Sequence, residues 1–152
     1  MPKVDPDALP TYDGPDAISH LAGDLGGFAG RSISSGCGLS QLGANIETLE
    51  PGSRSSHRHW HDRTDELVVV LSGTLLLVED AGETPLAPGD IAAFPAGTPN
   101  GHCLRNASAE RATFLVLGTR DARDICTYSD HALALQPDGT ITRRDGSPRR
   151  EG

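Results

Sequence analysis

Short apolar segments recur along the chain from Leu39 onward, and Gly, Pro, Asn or Asp residues separate them. Each is roughly five to eight residues long, a length typical of β-strands rather than helices. Ser72-Gly73 lies between two such runs and indicates a tight hairpin. The predicted strands are Asn45–Leu49, Ser55–His61, Glu66–Leu71, Thr74–Val78, Thr84–Leu86, Ile91–Phe94, Gly101–Asn106, Thr113–Leu117 and Ile125–Tyr128. The pattern predicts an all-β sandwich or barrel.

The two ends of the chain lack this pattern. Prolines and scattered acids predict an irregular arm over residues 1–38, in which Ala17–Leu25 forms a short helix. The barrel then occupies residues 39–128, and residues 129–152 form a C-terminal extension. The extension ends in a polar segment rich in Arg, Gly and Pro, and we expect this tail to fray from Arg143 onward.

Composition narrows the classes of function. A chain of 152 residues is the size of one domain with a single core. Its formal net charge of −8 argues against nucleic-acid binding, which requires a basic surface. The longest apolar run, Leu67–Leu71, is far shorter than the ~20 residues of a membrane span. We therefore expect neither a nucleic-acid nor a membrane partner.

Features of the N-terminus and the cysteines bear on the cellular compartment. The first ten residues are polar and contain no apolar run, so we expect no secretory signal. Cys37, Cys103 and Cys126 are odd in number and lack CxxC spacing, which argues against a disulfide framework or a cysteine zinc site. A reducing cytoplasm is the simplest location.

Three of the six histidines lie at alternate positions, His57, His59 and His61. Alternate side chains of an extended strand share a face, so these imidazoles can point the same way. Burying them without partners is costly, and a divalent metal is a natural partner for neutral imidazole. Glu66 follows closely and offers an oxygen ligand. The alternative is a solvent-exposed polar strand without a metal.

A second segment completes a recognisable pair of motifs. His59-x-His61 is followed by four residues and Glu66, and then by six residues and Gly73. Further on, Gly89-x5-Pro95-x-Gly97 precedes His102, which is followed by three residues and Asn106. Together these motifs resemble those of the cupin superfamily, in particular its small single-domain bacterial members. The loop before His102 is two residues longer than in the family pattern.

The resemblance implies a double-stranded β-helix, also called a jelly roll, that binds one divalent metal ion. The implied ligands are His59, His61, Glu66 and His102, a set that suits Fe, Mn, Ni, Co or Zn. Metal affinity should fall below about pH 6, where histidines protonate. The resemblance also implies a homodimer, built from barrel faces and an exchanged N-terminal arm.

Several nearby residues have open roles. The alternative ligand pair is His57 and His59 instead of His59 and His61. The spacing from this pair to Glu66 is longer than in the family pattern. His57 is otherwise a hydrogen-bonding neighbour of the ligands, a substrate contact or an exposed residue. Asn106 is expected to bond backbone groups at a turn. Arg105 is either a contact for an anionic substrate or a solvated charge.

Two classes of function follow from the resemblance. The first is a metal-dependent enzyme on a small polar or anionic molecule, with sugar-phosphate isomerase, dioxygenase or lyase chemistry. Isomerisation needs a base besides the metal, and none stands out in the sequence. The second is a non-catalytic barrel that binds a metal or small ligand as a sensor or regulatory module. Because one fold hosts many chemistries, the sequence leaves catalysis undecided.

Overall fold

The computed structural model of the protein describes residues 3–14 and 17–149. Predictions that concern Met1, Pro2, Pro15, Asp16 and residues 150–152 lie outside this part of the chain. The helices are a 3-10 turn at Pro6–Ala8, α1 at Ser19–Ala22 and α2 at Ile33–Cys37. The strands are β1 (Thr11–Tyr12), β2 (Phe28–Ser32), β3 (Leu42–Leu49), β4 (His59–His61), β5 (Glu66–Ser72), β6 (Leu75–Glu79), β7 (Gly82–Leu86), β8 (Ile91–Phe94), β9 (Cys103–Arg105), β10 (Ala112–Thr119), β11 (Cys126–Tyr128), β12 (Leu133–Leu135) and β13 (Ile141–Arg143).

The strands form three antiparallel sheets. The largest has the order β1-β2-β3-β10-β5-β8, and the smaller two have the orders β7-β6-β9 and β13-β12-β11-β4. The order of strands differs from their order in the chain, as in a jelly roll. The backbones of His59 and His102 bond to each other through two N–H···O contacts of 3.0 and 3.2 Å. This bridge joins the two smaller sheets into a continuous wall opposite the large one.

The main core fills the space between the large sheet and β6, β7 and β9. It consists of alternate side chains of the strands, because alternate residues of a strand share a face. Its buried members are Leu49, Val68, Val70, Leu75, Leu77, Leu86, Ala92, Leu104, Ala112 and Phe114. A second cluster lies against the four-stranded sheet, where Ile18, the residue that precedes α1, is buried with Cys126 and Tyr128. The all-β jelly-roll prediction is confirmed.

The chain ends are more regular than the sequence indicates. In the N-terminal arm, β2 pairs with β3 over five residues and β1 adds to the edge of β2. The expectation of fraying from Arg143 is wrong for the described residues. Strand β13 ends at Arg143 and pairs with β12, and the chain then folds back to bridge Thr142 with Pro148. Backbone pairing with distant strands, which local composition does not reveal, orders both segments.

The predicted strand at Ser55–His61 is shorter than expected. Only His59–His61 pairs with a neighbouring strand, whereas Ser55 and Ser56 lie in bends. Ser55 bonds to both backbone groups of Leu104, with its N–H donating at 2.9 Å and its hydroxyl accepting at 2.9 Å. None of the helices in the described residues has the length and apolar character to cross a membrane.

Candidate metal centre

Strand β4 places His59 and His61 on one face of the wall, because they flank Trp60 in an extended segment. Their rings lie 5.1 Å apart, and the His59 ring also lies 5.1 Å from that of His102. The three imidazoles therefore meet at one end of the barrel interior. His102 reaches them because its backbone pairs with that of His59.

The tautomer of His59 is fixed by its neighbours. Its Nδ1 lies 2.9 Å from the carbonyl oxygen of His57 and 3.2 Å from Oγ of Ser56. A carbonyl only accepts, so Nδ1 carries the proton and Nε2 keeps its lone pair for a ligand. Burial lowers the pKa of His59 to about 4, despite the opposing effect of Glu66. This imidazole stays neutral, as metal binding requires.

His61 is oriented by a carboxylate from a distant part of the chain. Its Nδ1 lies 2.6 Å from Oδ2 of Asp124, which immediately precedes Ile125 and β11. The other oxygen of Asp124 accepts the backbone N–H of Arg63 at 2.9 Å. With Nδ1 engaged, Nε2 of His61 points to Glu66, 3.7 Å from Oε2. A carboxylate on the outer nitrogen is typical of histidines that ligate metals.

Glu66 and His102 complete the cluster. Nε2 of His102 lies 3.2 Å from Oε1 of Glu66, and the His102 ring stacks on Phe94 at 3.5 Å and 4°. Burial acts to raise the pKa of Glu66, but the hydrogen bond from His102 and the nearby imidazoles lower it to about 2. Glu66 is therefore an anion. Nδ1 of His102 is buried without a hydrogen-bond partner within the described residues.

The donor set fits a divalent metal ion. One ligand atom from each of His59, Glu66 and His102 lies within 4.8 Å of the others, and His61 approaches the same carboxylate. Neutral imidazoles with one carboxylate suit first-row metals such as Fe, Mn, Ni, Co or Zn. The ligand atoms of Cys126, His59 and His61 also lie within 4.8 Å of one another, which makes a second possible three-ligand group.

The remaining predicted residues lie away from the ligand atoms. The His57 carbonyl bonds to His59, while the His57 ring packs edge-on against His131 at 5.0 Å. Asn106 is fully buried, and its amide donates to the carbonyls of Leu49 and Glu110 at 3.0 and 2.7 Å. Asn106 thus holds a turn, as expected, and contacts no ligand.

Arg105 also lies outside the cluster. Its guanidinium forms an ion pair with Glu83, in which Nη2 donates to the two carboxylate oxygens at 2.7 and 2.8 Å. The pair is partly exposed on the outside of the small β7-β6-β9 sheet. This placement removes the reason for Arg105 to contact a substrate bound at the histidines.

A cavity of about 230 Å³ opens next to three of the candidate ligands, His59, Glu66 and His102. Its other walls come from the large sheet, where polar side chains replace apolar ones near the ligands: Asn45 and Glu47 of β3. Glu47 accepts a hydrogen bond of 2.8 Å from the hydroxyl of Tyr12. Burial and the charge of Glu66 raise the pKa of Glu47 to about 7, although the Tyr12 bond opposes them.

Sequence reasoning missed Asp124, Cys126 and Glu47. Asp124 lies 63 residues from its partner His61, and no local pattern connects the two. Cys126 becomes a neighbour of His61 only through the β4–β11 register. Glu47 did carry a signal, because it has the same strand parity as the buried Leu49. A carboxylate at an inward strand position indicates a functional cavity.

Comparisons with known proteins support the jelly-roll fold. Residues 45–118 match the family model for the cupin domain. The chain is 42% identical to a solved cupin-superfamily protein of Silicibacter pomeroyi DSS-3 described as a sugar phosphate isomerase. That alignment covers 98% of this chain and 97% of the other, with a TM-score of 0.85.

Two further structures show more distant similarity. A proposed sugar phosphate isomerase of Acidithiobacillus ferrooxidans is 26% identical, with coverage of 87% and 86% and a TM-score of 0.76. A predicted oxalate decarboxylase of Thermotoga maritima is 17% identical, with coverage of 77% and 97% and a TM-score of 0.63, and supports the fold alone. A search of curated proteins finds no match.

Proposed function

Because this chain belongs to the cupin superfamily, we propose that it is a divalent-metal-dependent enzyme that isomerises a small sugar or sugar phosphate. The observation that supports this proposal best is the convergence of three imidazoles and Glu66 beside an internal cavity. The 42% identity to a protein described as a sugar phosphate isomerase supports the reaction class. Fold alone does not, since cupins host many reactions.

We propose that His59, His61, Glu66 and His102 hold the metal. When bound, the metal supplies a Lewis acid that polarises a carbonyl oxygen of the substrate. The chain's residues set the conditions for that role. The His57 carbonyl and Asp124 fix the two β4 imidazoles with Nε2 available. Phe94 covers the His102 ring and makes that side of the site apolar.

The cavity favours a neutral, hydroxyl-rich part of the substrate at its inner end. A second, smaller cavity of about 60 Å³ adjoins His61, Glu66 and His102. Among the described residues that line these two cavities, no lysine or arginine is present. The polar lining residues are instead Asn45, Glu47, Ser55, Ser56, Thr64, Glu79, Thr98 and Asn100. Such groups donate to and accept from hydroxyls. A phosphate, if the substrate carries one, is expected to lie toward the solvent.

The first experiment is elemental analysis of untagged protein purified without chelators. We expect about one equivalent of a divalent metal per chain, a large loss of metal in His59→Ala and His61→Ala, and a retained metal in His57→Ala. His57 is the matched control, because it belongs to the same histidine run but its ring packs against His131.

Two results would contradict this ligand set. Loss of metal in His57→Ala but not in His61→Ala would move the ligand pair by two residues. Failure of the protein to bind any of these ions near pH 7.5 would remove the metal-dependent enzyme and leave a metal-free binding barrel. If metal binds but no substrate turns over, the non-catalytic alternative is favoured.

We also propose that the protein is a homodimer. The outer face of the large sheet carries apolar side chains that the described chain leaves partly exposed. Ile91, Leu71 and Leu42 are 63%, 47% and 45% exposed. An apolar groove of about 410 Å³ runs across the same face between Leu42, Leu67 and Leu117. A second copy of this chain is the occupant that such a face fits.

A further inference from the structure

We propose that Glu47 is the catalytic acid–base residue of this protein, and that Tyr12 positions it; this inference rests on the proposed isomerase function. Apart from the proposed metal ligands, no motif of the sequence marks out a base. The structure brings Glu47 to the wall of the ligand cavity from β3, a strand that supplies none of the proposed ligands.

The placement of Glu47 follows from strand pairing. Glu47 lies opposite Phe114 on one side and Gly30 on the other, and both Phe114 and Leu49 face the barrel interior. Glu47 therefore points inward, and it lines the same cavity as His59, Glu66 and His102. If the carbonyl oxygen of a substrate lies at the proposed ligands, the carbon atoms next to it lie in the same cavity as the Glu47 carboxylate.

Tyr12 holds the carboxylate in this position. Its hydroxyl donates to Oε1 of Glu47 at 2.8 Å, and its ring packs against Phe28 with centroids 5.7 Å apart. Tyr12 reaches Glu47 across Gly30, which pairs with both residues and has no side chain. Burial and Glu47 raise the pKa of Tyr12 well above its ordinary value, so the phenol remains a donor. Oε2 of Glu47 is left for a substrate.

The surroundings of Glu47 suit proton transfer near neutral pH. The titratable groups that face it are Tyr12 from β1, Glu66 from β5, and the cavity imidazoles of His59 and His102. Burial, with help from Glu66, raises its pKa to about 7. General acid–base catalysis is most efficient when the pKa lies near the working pH. The pKa of Glu66, one of the proposed ligands, is instead lowered, so that Glu66 stays ionised.

The proposed step balances without a redox partner. The Glu47 carboxylate takes the proton from the carbon next to the substrate carbonyl, and the released electron pair forms a carbon–carbon double bond as a water molecule gives a proton to the carbonyl oxygen. Glu47 then returns its proton to the former carbonyl carbon. The neighbouring hydroxyl gives its proton to the hydroxide left by that water and becomes the new carbonyl. One hydrogen has moved between adjacent carbons, and the proton count on oxygen is unchanged.

The test separates a catalytic Glu47 from a residue that only anchors the arm. Glu47→Gln keeps an oxygen that accepts from Tyr12 but cannot take a proton. Glu83→Gln is the matched control, since it removes one carboxylate from an exposed site paired with Arg105. Each metal-loaded protein is assayed by NMR in D2O with a panel of three- to six-carbon aldose and ketose phosphates and the free sugars, alongside metal content and thermal melting.

For Glu47→Gln we expect a fall in kcat of about 10²–10⁴-fold, with metal content and melting temperature unchanged. Glu83→Gln should match the wild type. The wild-type kcat should rise with pH as Glu47 loses its proton. In Tyr12→Phe this rise should move to higher pH, because the Tyr12 bond lowers the pKa of Glu47.

Each result that contradicts these expectations has a different interpretation. If the wild type isomerises a substrate and Glu47→Gln retains that activity, the Glu47 inference is overturned and the proposed function stands. If Glu47→Gln loses metal or melts early in step with activity, the residue is structural and the inference is again overturned. If the wild-type protein, fully metal-loaded, acts on no member of the panel, the proposed function fails and the inference fails with it.

Discussion

At the scale of single residues, the candidate centre depends on which nitrogen of each histidine faces inward. His59 and His61 both have Nδ1 engaged by oxygen atoms, of a backbone carbonyl and of Asp124 respectively. A ring held in this way loses little orientational freedom when a metal binds, which increases affinity. Asp124 therefore belongs to the site although it is not expected to touch the metal.

Asp124→Asn should weaken metal binding by about 10–100-fold, because a neutral amide holds the His61 ring less firmly and makes Nε2 less basic. Competition against a fluorescent chelator measures this change. Asp130→Asn is the control, since the Asp130 carboxylate is paired with the guanidinium of Arg58. Equal affinities for the two variants would show that Asp124 does not orient a ligand.

At the scale of elements, the site depends on a strand added at the sheet edge. β1 has only two residues, yet it carries Tyr12 across β2 to Glu47. Gly30 makes this crossing possible, because a Cβ on Gly30 would overlap the Tyr12 ring. The N-terminal arm therefore contacts the cavity wall through the hydroxyl of Tyr12, and the absence of a side chain at Gly30 leaves room for that contact.

Gly30→Ala should lower the free energy of unfolding by about 1–3 kcal/mol, since the new methyl group must displace the Tyr12 ring. Urea denaturation measures this loss. Gly43→Ala, in β3, is the control because its Cβ would meet only ordinary contacts at 3.7 Å and beyond. In a Tyr12→Ala background the Gly30→Ala loss should largely disappear; an undiminished loss would contradict the proposed contact.

At the scale of the whole molecule, the large sheet is apolar on both faces. Its inner face packs in the core, whereas outer residues such as Ile91 and Leu71 remain exposed. Exposed apolar surface of this kind marks association sites in folded proteins. The proposed ligands His59, Glu66 and His102 line a cavity on the opposite, inner side, so a dimer through this face leaves that cavity intact.

Sedimentation of the wild type should give twice the chain mass of 15.9 kDa at micromolar concentration. The double substitution Ile91→Lys and Leu71→Lys should produce a monomer with unchanged melting behaviour, because both side chains are already exposed. Leu21→Lys, on α1, is the control. A wild-type monomer would remove the dimer proposal, and a monomer formed only by Leu21→Lys would move the interface to the arm.

The sequence by itself determined the all-β class and most strand positions, because these follow from local alternation of apolar residues. The jelly roll was implied by the resemblance of the two motifs to those of the cupin superfamily. The sequence also determined which imidazoles and which carboxylate are candidates for the metal. It did not reveal the ordered chain ends or the short β4, which depend on backbone pairing with distant strands. Only the tertiary structure decided that Asp124 supports His61 and that Tyr12 and Glu47 meet beside the ligands. Such contacts join residues far apart in the chain, and their energies come from burial and hydrogen bonding that no local pattern records.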